Sequence, residues 1–431
     1  MKILVLGSGG REHALAWKLN ESPIVSRITC APGNPGMEKF ATLVPLTLGD
    51  CDAVADYAAR EGFDLTVVGP EQPLADGIVD LFRQRGLAVF GPTRRAAELE
   101  WSKKFAKDFM RRHGIPTADY ACFESGEVAK ARAYLEQCSL PVVLKADGLA
   151  AGKGVIICQT RTEALQALHD MVDARVFGAA GSTVVVEEFM TGQEASVFAI
   201  SDGAQFVTLA PAQDHKRVFD GDRGKNTGGM GAYAPTPFVT PEISGLVEER
   251  IIRPTLQGMA AEGRSYTGCL YVGLMLTEAG PKVVEYNCRF GDPETQVVVP
   301  LYDGDFAQLL QKSASGDLSG IVPSAHAGHA VCVVLASQGY PGAYTTGLPI
   351  AGLEKAESIP GVAVFHAGTT TENGEIVTSG GRVLGVTARV SGSLQEAVDR
   401  AYEAVNRVSF AGAHFRRDIA RKALLASGPK R

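Results

Sequence analysis

The sequence predicts three lobes: an α/β lobe on a parallel sheet, a central region of largely antiparallel strands, and a small α+β lobe. Strand–turn–helix units repeat through the first hundred residues. Such units leave successive strands pointing the same way, with ligand-binding turns gathered at their carboxyl ends. In the middle of the chain, apolar runs follow one another across short polar turns, the antiparallel pattern. After residue 325 come short strands and one helix. The lobes are placed at about 1–101, 102–324 and 325–431.

Residues 2–6 form a compact apolar strand ahead of Gly7–Ser8–Gly9–Gly10, and EHALAWKLN continues as a helix. A strand at 26–31 runs into PGNPG. A helix near 50–60 precedes DLTVVGPEQPLADGIVDLFRQRG, read as strand, turn and helix, and LAVFGP closes the lobe. The middle region opens with a helix and connector over 102–124, then LPVVLKADGLAAGKGVIIC, two strands joined by a glycine-rich turn. A helix at 162–175, the strand TVVVEEFM, and antiparallel strands in EASVFAISDG and QFVTLAPAQDHKR follow. A polar, glycine-rich loop spans about 219–232; a long helix near 241–261 and the strand pair YVGLML and KVVEYN complete the region. HAVCVVLAS, VAVFHAGT and VLGVTARV are the strands of the last lobe, and its helix lies at 393–407.

Composition narrows the function. Apolar residues are 45% and charged residues 21% of 431, an ordinary globular balance, and the 49 glycines fall in short clusters rather than a repeat. A net charge of -6 argues against a nucleic-acid partner, which calls for a basic stripe. No 18-residue apolar stretch or secretory leader is present, so neither a membrane span nor export is expected. Eight scattered cysteines without metal spacing fit reduced thiols and a cytoplasmic location.

The chemistry lies in a few strings. GSGGREH presents backbone N–H groups at a helix start, which suits a phosphate or simply a tight turn. It is not a dinucleotide fingerprint, because Glu12 stands where the third glycine belongs. Arg11 beside it suits either a phosphate contact or the surface. In Lys145-Ala-Asp-Gly-Leu-Ala-Ala-Gly-Lys-Gly154, a lysine ends an apolar strand and can reach phosphate oxygens, while Gly148, Gly152 and Gly154 let the backbone close over them. Lys153 is either a second phosphate contact or a surface lysine. Glu285 and Asn287 alternate onto one strand face, and a carboxylate with an amide oxygen there fits a hard divalent cation that also holds nucleotide phosphates. Arg289 can sit beside the same phosphates, and Asp292 and Glu294 follow in a turn. At Glu187–Met190 a strand leaving its sheet can offer backbone groups to an adenine edge, or Phe189 and Met190 can be plain core. After Asn226–Thr227, the run Gly228–Gly229–Met230–Gly231 fits close approach to a ligand or a structural turn.

Together these strings closely resemble the phosphoribosylamine–glycine ligase (glycinamide ribonucleotide synthetase) family of the ATP-grasp superfamily. The resemblance runs nearly end to end: GSGGREHAL at 7–15, GPEQPLADGI at 69–78, SKKFAKDFM at 102–110, LKADGLAAGKGV at 144–155, EEFMTGQEAS at 187–196, NTGGMGAY at 226–233 and EYNCRFGDPETQ at 285–296. It implies a pre-ATP-grasp lobe, a central ATP-grasp fold with a lid at about 120–190, and a C-terminal α+β domain. It also implies ligation of glycine to 5-phosphoribosylamine with ATP as co-substrate, Mg2+ or Mn2+ as cofactor, and a monomer without nucleic-acid or membrane partners. By the same resemblance Lys103 and Lys145 touch ATP phosphates under the 148–154 loop, Glu187 and Phe189 form the adenine hinge, and Glu194 contacts the ribose. Glu285 and Asn287 match the metal ligands, and Arg289 the arginine at the transferred phosphoryl group. Gly9, Gly10 and Glu71 match the phosphoribosylamine side; Asp214 and the 226–231 loop, with Asn226, Thr227, Gly228 and Gly229, match the amino-acid side. Lys145, Arg289 and Asp214 are thus the expected catalytic set. One departure is Arg223-Gly-Lys225, where the family usually has a glycine–proline pair before the asparagine. Another ATP-grasp carboxylate–amine ligase or carboxylase is the alternative reading.

Overall fold

The computed structural model describes residues 1–148, 154–172, 183–322 and 328–427. Strands β1 (Lys2–Gly7), β2 (Arg27–Pro32), β3 (Thr42–Leu43), β4 (Leu65–Val68) and β5 (Val89–Phe90) form one sheet in the order β3-β2-β1-β4-β5. Every pairing is parallel, as the strand–turn–helix repeats predict. The order reverses between β1 and β4, and a crevice opens outside the carboxyl ends of strands at such a point. The turns after β1 and β4 bring Arg11 and Glu71 there.

Glu12 explains why the first turn lacks a third glycine. Its carboxylate accepts the Gly9 N–H at 2.7 Å and the Arg11 Nε–H at 2.5 Å. A Cβ on Gly7 (φ +124°) would stand 2.4 Å from its side chain, and one on Gly69 2.3 Å. Glu12 therefore fills the space a dinucleotide motif would leave open.

Strands β6 (Tyr120–Glu124), β7 (Val142–Ala146), β8 (Val155–Cys158) and β9 (Thr183–Glu188) make a small antiparallel sheet, ordered β6-β9-β7-β8. Helices Val128–Gln137 and Arg161–Val172 cover it around a separate apolar cluster that includes Leu135, Leu144, Leu168 and Val186. Next come β10 (Gln193–Asp202), β11 (Phe206–Thr208), β12 (Gln213–Asp214), the hairpin of β13 (Arg217–Phe219) and β14 (Arg223–Asn226), and β15 (Gly231–Ala234). The departing Arg223-Gly-Lys225 string lies in β14.

Residues 241–261 are helical throughout, but not uniformly. Two α-helices, Pro241–Val247 and Arg253–Ala261, are joined by a wider π turn at Glu248–Ile252. Pro254 has no N–H to donate to the carbonyl four residues back, and the wider turn absorbs that mismatch.

Strands β16 (Thr267–Thr277) and β17 (Gly280–Asn287) join β10 and β11 in an antiparallel sheet ordered β11-β10-β16-β17. The chain ends with β18 (His329–Ala336), β19 (Val362–His366), the hairpin of β20 (Thr369–Glu372) and β21 (Glu375–Thr378), and β22 (Arg382–Val390). Helix Leu394–Val405 packs on the final sheet, whose order is β12-β15-β18-β22-β19. That sheet takes two strands from the middle of the chain and three from its last part. A single apolar cluster includes Val5 and Leu15 of the first sheet and its helix, Phe198 of β10, Val298, and Ala330 of β18. Burial on this scale, at about 25 cal/mol per Å² of apolar surface, holds the three regions against one another. No helix among the described residues is long and apolar enough to cross a membrane, and all eight cysteines are unpaired.

Candidate functional site

Where these sheets meet lies a cavity of about 480 Å³. Its wall includes Lys103, Lys145, Gly148, Gly154, Glu187, Phe189, Glu194, Glu71, Asp214, Asn226, Thr227, Gly228, Glu285, Asn287 and Arg289. These residues come from segments spread over more than two hundred positions, and the fold collects them in one space. Gly9, Gly10 and Gly229 do not line it. A Cβ on Gly9 would meet Glu12 at 2.8 Å, and one on Gly10 would meet Gln296 at 2.6 Å. A Cβ on Gly229 (φ +112°) would meet Pro293 at 2.4 Å, so that glycine serves the turn. Gly152 and Lys153 lie outside the described residues.

One end is rich in lysine. Lys145 closes β7 and donates from Nζ to the Val284 carbonyl at 3.1 Å. Its Nζ also stands 3.0 Å from Glu187 Oε1, a contact of charge rather than an aligned hydrogen bond. The other oxygen of Glu187 is 2.9 Å from Lys107 Nζ. Lys107 donates to Thr117 Oγ1 at 2.8 Å, and Thr117 donates in turn to the Val283 carbonyl at 2.7 Å. Glu187 thus binds two lysines and ties β9 to β17. Burial works to raise its carboxyl, but Lys145 and Lys107 hold it below the ordinary value. Lys107 is pushed down to about 8, by burial first and by the nearby Lys145, against the pull of Glu187.

Lys103 opens the helix Lys103–Arg112 and donates to the Gly148 carbonyl at 3.1 Å. Asp147 anchors that turn by accepting from the Lys104 N–H at 3.1 Å and the Ser102 hydroxyl at 3.3 Å. Burial and Lys145 lower Lys103, although Glu285 draws it up. Val143, Val155, Ile157, Met190 and Met275 give an apolar slot beside the lysines. Strand β9 ends at Glu188, whose N–H bonds the Asp119 carbonyl, and the chain leaves the sheet at the half-exposed Phe189.

On β17, Glu285 and Asn287 both face the cavity, while Tyr286 turns inward to bond Thr255. Alternation places them as the sequence predicts. Among the described residues no cluster of three or more His, Cys, Asp or Glu is arranged to hold a metal alone. Glu285 and Asn287 are hard oxygen donors too few to complete a shell, which suits a Mg2+- or Mn2+-like ion that takes its other oxygens from phosphate and water.

The other end is rich in carboxylates. Arg289 reaches Glu71 at 3.2 Å and Glu100 at 2.9 Å, and Glu100 also accepts the Cys288 N–H at 2.7 Å. Arg11 stands 3.8 Å from Glu71 and donates to the Phe290 carbonyl at 3.2 Å. Burial opposes it, yet Arg289 and Arg11 lower Glu71 to about 2. Lys216 bridges Asp214 at 2.8 Å and Glu194 at 2.7 Å. Burial would lower Lys216, but those two carboxylates raise it well above its ordinary value. Thr227 accepts the Gly229 N–H at 3.0 Å, and its own hydroxyl donates to the Lys216 carbonyl at 2.8 Å, which fixes the glycine loop. The last region also reaches in. Tyr340 accepts the Gly228 N–H at 3.0 Å. Arg382 donates to the Gly228 carbonyl at 2.5 Å and to both the carbonyl and the carboxylate of Asp292 at 2.8 Å.

Sequence reasoning missed Glu100, Lys107, Lys216, Tyr340 and Arg382 in this site. Lys216 carried a signal, since two residues after Asp214 on an extended segment share a face. The others carry none, because only tertiary contact brings Glu100, Lys107 and Arg382 to the wall and Tyr340 to Gly228.

Comparison with known proteins bears on what the cavity does. Residues 1–100 match the phosphoribosylglycinamide synthetase N domain, 101–295 the ATP-grasp (A) domain and 330–422 the C domain of that family. A phosphoribosylamine–glycine ligase of Chlorobaculum tepidum is 53% identical over 428 residues, covering 98% of this chain and 100% of the relative. One from Vibrio cholerae is 49% identical over 427 residues, covering 98% and 99%. The crystal structure of phosphoribosylamine–glycine ligase from Thermotoga maritima superposes with a TM-score of 0.85 at 35% identity, covering 97% of this chain and 100% of that one. A biotin carboxylase–nucleotide complex from Campylobacter jejuni superposes at 0.72 with 14% identity over 99% and 95%, a likeness of fold alone.

Proposed function

The chain belongs to the phosphoribosylglycinamide synthetase family, and we propose on that footing that its cavity joins glycine to 5-phosphoribosylamine with ATP, by way of glycyl phosphate. The products are glycinamide ribonucleotide, ADP and phosphate, an ATP-dependent ligation of purine synthesis. One observation carries the reading: a single space holds a lysine-rich phosphate end, a Glu285–Asn287 oxygen face, and an acidic end gated by Arg289.

Lys103 and Lys145 neutralise the nucleotide phosphates, their ammonium groups held in the cavity by the Gly148 and Val284 carbonyls. Glu285 and Asn287 would hold a Mg2+ or Mn2+ ion, which supplies charge neutralisation at the phosphoryl oxygens. The apolar slot near Phe189 takes the adenine and Glu194 the ribose, with Gly148 and Gly154 at the phosphate cover. At the other end, Asp214 and the Asn226–Gly229 loop orient glycine through its ammonium. The ionised glycine carboxylate attacks the γ-phosphoryl group beside Arg289, and it needs no base for that step. Phosphoribosylamine enters on the Gly9, Gly10 and Glu71 side. Its amine then attacks the acyl carbon and phosphate leaves.

The reading takes residues 1–101 as the substrate-binding domain, 102–324 as the ATP-grasp domain and 325–431 as the C-terminal domain, in a cytoplasmic monomer. The test is ADP release with magnesium-ATP and glycine alone, fresh phosphoribosylamine alone, or both, with product mass recorded. Release that needs both substrates and yields glycinamide ribonucleotide is the expected result. Stimulation by a different carboxylate and acceptor would retain the superfamily and overturn the substrates.

A further inference from the structure

Amide formation leaves one proton without an owner. The amine that attacks an acyl carbon becomes positively charged, and unless it loses a proton the tetrahedral intermediate expels it again. A suitable acceptor is a carboxylate at the acyl end that no cation already neutralises. Glu71 and Glu100 hold Arg289, Asp214 and Glu194 share Lys216, and Asp292 holds Arg382. Glu294 differs. It lines the cavity, is 4% exposed, and forms no ion pair among the described residues.

Its Oε1 instead accepts from the Tyr271 hydroxyl at 3.0 Å and the Ser196 hydroxyl at 3.3 Å, and those hydroxyls are 2.9 Å apart. Its Oε2 lies over Gly291, where a Cβ would come within 2.6 Å. The carboxylate is therefore fixed in place by neutral donors and by a glycine that makes room for it. We propose that Glu294 is the general base that takes the proton from the phosphoribosylamine nitrogen as it attacks the glycyl carbonyl. This rests on the glycyl phosphate reading above. The nitrogen lone pair forms the C–N bond, and the N–H proton passes to the Glu294 carboxylate. The C–O bond to phosphate breaks with its electron pair going to phosphate, and Glu294 later returns its proton to water.

The surroundings suit the task. Asp214 and Lys216 face Glu294 from the 213–216 segment, Tyr271 from β16, Ser196 from β10, Arg289 from the end of β17 and Arg382 from the start of β22. Burial and Asp214 raise the carboxyl to about 7, against Lys216 and the Tyr271 hydrogen bond. A base poised near the working pH combines a large ionised fraction with the strongest useful basicity.

The two half-reactions separate the roles. Hydroxylamine in place of phosphoribosylamine captures glycyl phosphate as glycine hydroxamate, and ligation is followed by product mass. Glu294→Gln, which keeps the shape and can still accept from Tyr271 and Ser196, is expected to retain hydroxamate formation. Ligation should fall by about 10²–10⁴-fold and the acid limb of its pH profile should vanish. Tyr271→Phe removes a bond that lowers Glu294, so the acid limb should move to higher pH; this arm decides the matter if the Gln variant does not fold. Ligation at wild-type rate with an unmoved acid limb, or equal loss of both half-reactions, overturns the proposal. If the wild type ligates but never forms hydroxamate, the intermediate is wrong, and the acid limb of ligation alone decides Glu294.

Discussion

The two ends of the cavity use the same residue types in opposite proportion. At the end proposed for the nucleotide, Lys103, Lys107 and Lys145 share the wall with Glu187, Glu285 and a Glu188 that Lys282 already neutralises, which leaves positive charge for phosphate. At the end proposed for acyl transfer Asp214, Glu71, Glu100, Asp292 and Glu294 outnumber Lys216, Arg289, Arg11 and Arg382, and Glu194, the proposed ribose contact, shares Lys216 at the border. Charge excess therefore does different work in each. The lysine surplus suits a polyanion, whereas the carboxylate surplus leaves one acid unpaired and raises it into the neutral range.

The harshest test of that contrast removes a charge that serves phosphate at the border of the two ends. Glu285→Ala should lower metal-dependent turnover by about 10³-fold or more, since it removes the only carboxylate of the oxygen face. Its thermal melting should stay near wild type, because the side chain faces the cavity. Turnover close to normal would end the metal assignment.

Glu187→Ala probes the lock at the nucleotide end. Lys107 and Lys145 would then face each other, both no more than 5% exposed. Loss of one partner from a buried pair costs about 3–5 kcal/mol, to be read from urea unfolding. Adding Lys107→Met should recover part of the loss; if it recovers none, Glu187 does not act through the lysines.

At the acyl end, Arg382→Met removes charge-assisted bonds to Gly228 and Asp292, each worth about 1.5–3 kcal/mol. Expected is a fall in kcat/KM for ligation of about 10-fold to 100-fold, with nucleotide affinity measured by calorimetry little changed. An equal loss of nucleotide affinity would show that the ends are not separable.

The buried lysine also predicts a pH dependence of stability. Lys107 titrates near 10.5 when unfolded and about 8 when folded, so between those values the unfolded chain holds more protons. Stability from this group therefore rises as pH climbs from about 8 toward 10.5. Lys107→Met should flatten the unfolding free energy across that window, and an unchanged slope would count against the buried lysine.

Much of the fold was legible because its signals are local. The strand–turn–helix repeats predicted the parallel sheet, and Glu12, which stands in place of the third glycine, fills the space beside Gly7 and Gly69. The long helix near 241–261 was read as continuous; Pro254 placed a π turn in it. Period-two alternation set Glu285 and Asn287 on one face while hiding Tyr286. Lys145, near the end of its apolar strand, reaches the same cavity wall.

The sequence by itself thus determined which residues share a strand face and which turns need glycine. Those properties depend on backbone geometry over a few residues. Only the tertiary structure decided that Arg382 grips Asp292 ninety positions away, that Glu187 lies between two lysines, and that Glu294 meets hydroxyls instead of a cation. Charge pairing and desolvation depend on which distant elements pack together, and no local periodicity encodes that meeting.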